Sequence, residues 1–124
     1  MAQEEDVMPH TAGHTANPEL DRCIDDCYSC ATSCGTTLSY CLEQGGKHAE
    51  AKHIALMFDC SAICETAAGS MARNSDAYGQ ICRVCAQVCR ACEKDCRSFR
   101  DDSTMQACAD ACRTCAENCE RMAT

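Results

Sequence analysis

The spacing of cysteine constrains this chain more than any other feature. The cysteines fall in four runs: Cys23, Cys27, Cys30, Cys34 and Cys41; Cys60 and Cys64; Cys82, Cys85, Cys89, Cys92 and Cys96; and Cys108, Cys112, Cys115 and Cys119. Within each run every step is three, four or seven residues, the a/d spacing of a helical seam. The second run is short, but its stripe continues at the same spacing through His53, Met57, Cys60, Cys64, Ala67 and Met71. Asp25, Asp26, Glu93, Lys94, Arg97 and Glu117 fall largely between stripe positions, so the thiols are expected to face inward.

Start and stop signals divide the chain accordingly. Residues 1–16 read as a flexible tail, acidic at first and then carrying Met8, His10 and His14 among Pro, Gly and Thr. Asn17 followed by Pro18 and Glu19 is a strong helix start, and Gly45-Gly46 is a stop. A second helix is expected from about Lys47 to Arg73, and a third from the Ser75-Asp76 cap to about Arg100. A capping box of Ser103 with Gln106 opens a fourth helix that runs to about Met122. Short connections make successive helices antiparallel neighbours. The expectation is an all-α, up-down-up-down four-helix bundle with a cysteine-lined core, a single domain over residues 17–124.

Composition sharpens this rather than supporting it outright. Only 13 residues are Leu, Ile, Val or Phe, and the net charge is -8, which alone would suggest disorder. The 16 cysteines and 19 alanines fill the gap, so the interior must be built from them. The acidic balance lacks any basic cluster and argues against nucleic acid and anionic membranes as partners. No apolar run is read as reaching the roughly 20 residues of a membrane span. The first residues carry neither the basic start nor the apolar stretch of a secretory signal, so a cytoplasmic location is expected. No nucleotide-binding loop, HExxH or serine elbow is present, and no acid–base or nucleophilic machinery is evident, which points away from an enzyme.

What could so many inward thiols do? Packing as small hydrophobes accounts for two or three of them, not for sixteen. Disulfides within a helix fail on distance, because cysteines four apart have Cβ atoms roughly 6 Å apart where a bridge wants about 3.8 Å. The same spacing suits two thiolates clasping one ion: with bonds near 2.3 Å, a linear sulfur–metal–sulfur unit spans roughly 4.5 Å. Seven CxxxC pairs can be drawn without sharing, leaving Cys41 and Cys82 as bridging or end ligands. Soft thiolates select Cu(I), Zn or iron–sulfur clusters. A continuous column, rather than loop-borne CxxC units, fits several Cu(I) ions per chain best. Two alternatives stay open: a metallothionein-like Zn or Cd sink, and a thiol redox protein using the Cys82–Cys85 CxxC.

The runs CIDDCYSCATSC, CRVCAQVCRACEKDC and CADACRTCAENC, on four helices spanning about residues 18–122, resemble the bacterial copper storage proteins. The resemblance implies storage of Cu(I) in the bundle interior, a homotetramer, and the cytosolic rather than the exported branch. Copper delivered by chaperones or small thiols would be the partner. The departure is the sparse second helix, with a single CxxxC pair, which bears on capacity.

Antiparallel threading gathers Cys41, His48, His53, Met57, Cys96, Phe99 and Met105 at one end, and Leu20, Met71, Tyr78 and Met122 at the other. The first end combines thiol, imidazole and thioether, and is the expected site of copper uptake through His48, His53, Met57 and Met105. Taken singly, His48 reads as a solvated residue and Met105 as a plug. Ile81, Val84 and Val88 form a second stripe on the third helix, while Leu38, Leu42, Ile54 and Phe58 cluster towards the uptake end. Both read as packing between helices or as an oligomer contact.

Overall fold

The Asn17 side chain accepts hydrogen bonds from the backbone N–H groups of Glu19 and Leu20, at 2.9 and 3.2 Å, and starts helix α1, Pro18–Gln44. The structure, a computed structural model, describes residues 15–124; Met8, His10 and His14 lie outside them. Gly45, at φ 70° and ψ -168°, and Gly46, at φ 56°, end α1 with backbone that favours glycine. A short 3-10 turn, Gly46–Ala49, then leads into α2, Ala51–Ala72. The second helix thus begins four residues later than the expected Lys47, because the two glycines start a tight turn rather than only a stop. Helices α3, Tyr78–Arg97, and α4, Ser103–Met122, complete the fold among the described residues.

Two further boundaries differ from expectation. The third helix is shorter at both ends than residues 76–100, and Ser75 serves the turn before it, its hydroxyl accepting from the Ala77 N–H at 3.2 Å. The cap of α4 is Asp102, whose carboxylate accepts from the N–H groups of Thr104 and Met105 at 3.0 and 3.2 Å. The expected Ser103–Gln106 box does not form. Instead the Gln106 amide donates to the Phe99 carbonyl at 2.8 Å and ties α4 to the preceding loop.

α1 packs on α2 and α4, and α3 packs on the same two, while the diagonal backbones stay apart. This is the up-down-up-down square. Arg90 adds a bidentate pair to Glu120, both contacts 3.0 Å, across the α3–α4 seam. The core is the four inward stripes: all sixteen cysteines are buried, with Ile24, Met57, Met71, Met105 and a set of alanines between them. The missing step between Cys34 and Cys41 is filled by Thr37, also buried.

α2 corrects one expectation. It is 22 residues long and contains an 18-residue stretch of mean hydropathy 1.2, so by length and composition it could cross a membrane. Cysteine, alanine and methionine raise its hydropathy although it has few large aliphatic residues. In the fold its His53, Met57, Cys60, Cys64, Ala67 and Met71 stripe is buried against the other helices, as a core helix requires. Outside the core, Leu42, Phe58 and Val84 are exposed, while Leu38, Ile54, Ile81 and Val88 pack partly against it.

Candidate metal centre

Helical period decides which side chains line the bundle axis, and the pairing of the four helices decides which of them meet. The resulting thiol–thiol hydrogen bonds are mostly between helices. Cys27 Sγ lies 3.5 Å from both Cys115 and Cys119, Cys64 lies 3.5 Å from Cys89 and 3.7 Å from Cys115, and Cys34 lies 3.8 Å from Cys112 and 3.9 Å from Cys108. Among the seven expected CxxxC pairs, Cys85 and Cys89 make such a contact themselves, at 3.9 Å.

Four of the expected CxxxC pairs sit within larger groupings. Four sets of four sulfurs have all members within 4.8 Å of one another: Cys27, Cys85, Cys115 and Cys119; Cys64, Cys85, Cys89 and Cys115; Cys30, Cys60, Cys64 and Cys89; and Cys30, Cys34, Cys60 and Cys112. Each set combines one CxxxC pair with one thiol from each of two other helices. The sets share members, so they form one continuous column rather than separate pockets. A trigonal site with bonds near 2.3 Å needs sulfurs about 4 Å apart, and a linear one about 4.6 Å. The column offers both spacings, and bridging thiols besides.

All sixteen cysteines are free. Within the column, hydrogen bonding to Cys115 together with burial pushes the Cys27 thiol up, and hydrogen bonding to Cys108 does the same for Cys34. Cys30 and Cys85 are lowered, chiefly by their hydrogen bonding with Cys112 and Cys115. Neighbouring thiols of the column are thus pushed in opposite directions by the hydrogen bonds they share. A soft cation entering it displaces protons as it binds. Cys82 and Cys85 are both fully buried, which leaves the redox alternative without the accessible nucleophile it needs.

The column ends differently above and below. At one end Cys41 Sγ is 3.2 Å from His53 Nε2 and 3.5 Å from Met105 Sδ, and Cys96 donates to Met57 Sδ at 3.9 Å. Cys41 is pushed up to about 11 by burial first, then by the negative charge of Cys108, Asp102 and Asp95. His53 is 5% exposed and its Nδ1 is hydrogen-bonded to the Asp95 carboxylate. His48 is not simply solvated: its Nε2–H donates to Asp102 at 2.8 Å, and Tyr40 donates to the same oxygen at 2.7 Å. The Phe99 ring lies between the two imidazoles, 4.4 Å from His48 and 4.9 Å from His53. Met105 is fully buried, in sulfur contact with Cys41 rather than merely filling space.

The structure brings His53, Met57, Met105, Cys41 and Cys96 together, with His48 outside them. Sequence reasoning did not single out Asp95, Asp102 or Tyr40. The signal for Asp95 was available: antiparallel threading sets the end of α3 beside the start of α2.

The family model for Csp, the copper storage protein, matches residues 16–124. No curated protein matches the sequence. Among solved structures, the chain is similar to Nmul_A1745 from Nitrosospira multiformis, at 42% identity and TM-score 0.80, over 85% of this chain and 94% of that one. It is similar to the Cu(I)-bound copper storage protein BsCsp3, at 37% identity and TM-score 0.79, over 86% of this chain and 99% of that one. It is also similar to Ccsp from Streptomyces lividans, loaded with 10 copper equivalents, at 26% identity and TM-score 0.75, over 95% of this chain and 93% of that one.

Proposed function

The chain belongs to the copper storage protein family, and on that premise we propose that it stores multiple Cu(I) ions as cargo on the thiolates of its sixteen core cysteines. One observation carries the reading: the four overlapping four-sulfur sets, buried and free of disulfides, at spacings suited to two- and three-coordinate soft ions. Bridging thiolates let neighbouring ions share ligands, so the bundle fills along its axis without a large rearrangement. The role is storage, not catalysis.

Copper is admitted at the end that carries His48, His53, Met57 and Met105, and is handed inward to Cys41 and Cys96. It is delivered there by chaperones or small thiols. The working compartment is the cytoplasm, where reduced cysteines persist. The assembly is a homotetramer, for which the exposed Leu42 and Phe58 beside Leu38 and Ile54 supply the apolar contact. The storage unit is the bundle over residues 17–124, preceded by a tail at 1–16.

Anaerobic titration of the reduced protein with Cu(I), followed by challenge with a strong Cu(I) chelator, tests the central claim. Retention of many ions per chain, with helical circular dichroism unchanged between empty and loaded protein, is the expected result. Retention of fewer ions than the four sulfur sets would defeat it.

A further inference from the structure

We infer that Asp95 is a positioning residue for copper uptake: it holds His53 with its Nε2 lone pair facing Cys41, so that nitrogen and sulfur meet the incoming ion together. The inference rests on the storage reading and deepens it.

The argument starts from what a carboxylate can do. Ionised, it accepts hydrogen bonds and donates none. The His53 Nδ1 that faces Asp95 must therefore carry the ring proton. In a neutral imidazole the other nitrogen is then the acceptor, and a metal binds through that lone pair. That other nitrogen, Nε2, is the one 3.2 Å from Cys41 Sγ. With the opposite tautomer Nε2–H would point at the thiol, and the inner face of the ring would offer no ligand.

Neighbours keep the arrangement in place. His53 is almost wholly buried, and the Phe99 ring lies against it at 4.9 Å, so the imidazole cannot turn freely. Asp95 itself sits in the last turn of α3, where its carbonyl accepts from the Ser98 N–H at 3.1 Å and the Ser98 hydroxyl at 2.6 Å. The backbone that aims the carboxylate is thus fixed by the helix end. Met105 Sδ, 3.5 Å from Cys41 Sγ, adds a thioether beside the same thiol. Such outer partners of metal-binding histidines fix ring orientation and tautomer, and losing one typically costs about 10–100-fold in metal binding or activity.

Two measurements on the full-length protein test this. In the reduced, copper-free protein, long-range nitrogen–proton NMR of labelled histidine reads the His53 tautomer directly. Stopped-flow uptake from a Cu(I)–chelator complex reads the rate. The wild-type ring is expected as the Nδ1–H tautomer. Asp95→Ala is expected to populate the Nε2–H form and slow uptake about tenfold, with final capacity unchanged, and Asp95→Glu to recover both. An Nε2–H ring in the wild type overturns the inference. So does an unchanged rate in Asp95→Ala, slowed uptake with the tautomer unaltered, or an Asp95→Glu protein that behaves like the alanine variant. Failure of the storage reading shows separately, as low final capacity in the wild type.

Discussion

At one end of the bundle, Cys41 meets His53 and Met105, and the polar chain continues outward through Asp95, His48 and Asp102. At the other end, where α1 and α3 begin, the column stops at Cys23 and Cys82 beside Leu20, Met71, Tyr78 and Met122. Thr124 folds back there, its N–H donating to the Gly79 carbonyl at 3.2 Å, and its side chain fills the space a Cβ on Gly79 would need. The thiol column is continuous between the two. What differs is whether ligating atoms carry on towards the surface. At the first end imidazole and carboxylate groups carry on from the thiols, whereas the second is closed by Leu20, Tyr78 and the side chains of Met71 and Met122. A storage bundle needs only one route for its cargo, and the second end can serve stability alone.

The largest effect expected from this asymmetry is kinetic. Replacing His53 and Met57 together by Ala should slow Cu(I) uptake about tenfold or more, while the final number of ions stays the same. Met71→Ala at the closed end should instead cost about 2–5 kcal/mol of copper-free stability through the cavity it leaves, with the uptake rate unchanged. Stopped-flow uptake and urea unfolding followed by circular dichroism separate the two. If Met71→Ala slows uptake as much as the double substitution, copper enters from both ends and the contrast collapses.

Alkaline pH should reveal a likeness beneath the contrast. Cys41 is pushed up to about 11, while Cys82 is pushed up to about 12 although its hydrogen bond with Cys119 lowers it, because the bond with Cys23 and burial outweigh it. Both thiols start from an ordinary value of 9.0. Between that value and the raised ones the unfolded chain releases protons that the folded chain keeps, so stability is full below pH 9 and falls as pH rises. Urea midpoints of the copper-free protein across this window should decline, and Cys41→Ala should flatten the lower part. A midpoint that rises with pH would mean that the fold does not hold Cys41 and Cys82 protonated.

Much of this was legible in the sequence because a helix converts spacing into direction. Steps of three and four assign each cysteine to one face, and four such faces can be satisfied only by meeting. The His53, Met57, Cys60, Cys64 stripe was readable for the same reason, and so was the gathering of both ends, which follows from short connections. The four-sulfur sets were not legible. They depend on how far each helix is rotated and slid against its neighbours, which no single helix encodes. Nor was Asp102, since a carboxylate at a helix end looks solvated until its partner arrives from another segment, whereas Asp95 could be placed beside His53 only by threading α3 against α2. The start of α4 was displaced by one residue because Asp102 and Ser103 are both good caps. Asp102 won because its second oxygen is also held, by Tyr40 and His48.

That double duty gives the smallest and most discriminating test, a comparison of the caps at opposite ends. Asn17→Ala, at the closed end, removes two hydrogen bonds to the first turn of α1 and should cost about 1 kcal/mol, with uptake untouched. Asp102→Ala removes the equivalent pair from α4 and also frees Tyr40 and His48, so its cost should approach the upper end of the cap range, about 2 kcal/mol. Burial acts to raise the Asp102 carboxyl, but the hydrogen bonds from Tyr40, His48 and the backbone hold it below its ordinary value. Its contribution is therefore present above the ordinary carboxyl range and lost as pH falls through the lowered value. Asp102→Asn separates the two roles, since the amide oxygen can still cap the helix but no longer attracts His48 by charge. Near-normal stability with slower uptake in that variant would place His48 on the copper route. Unchanged uptake would confine the route to His53 and its neighbours.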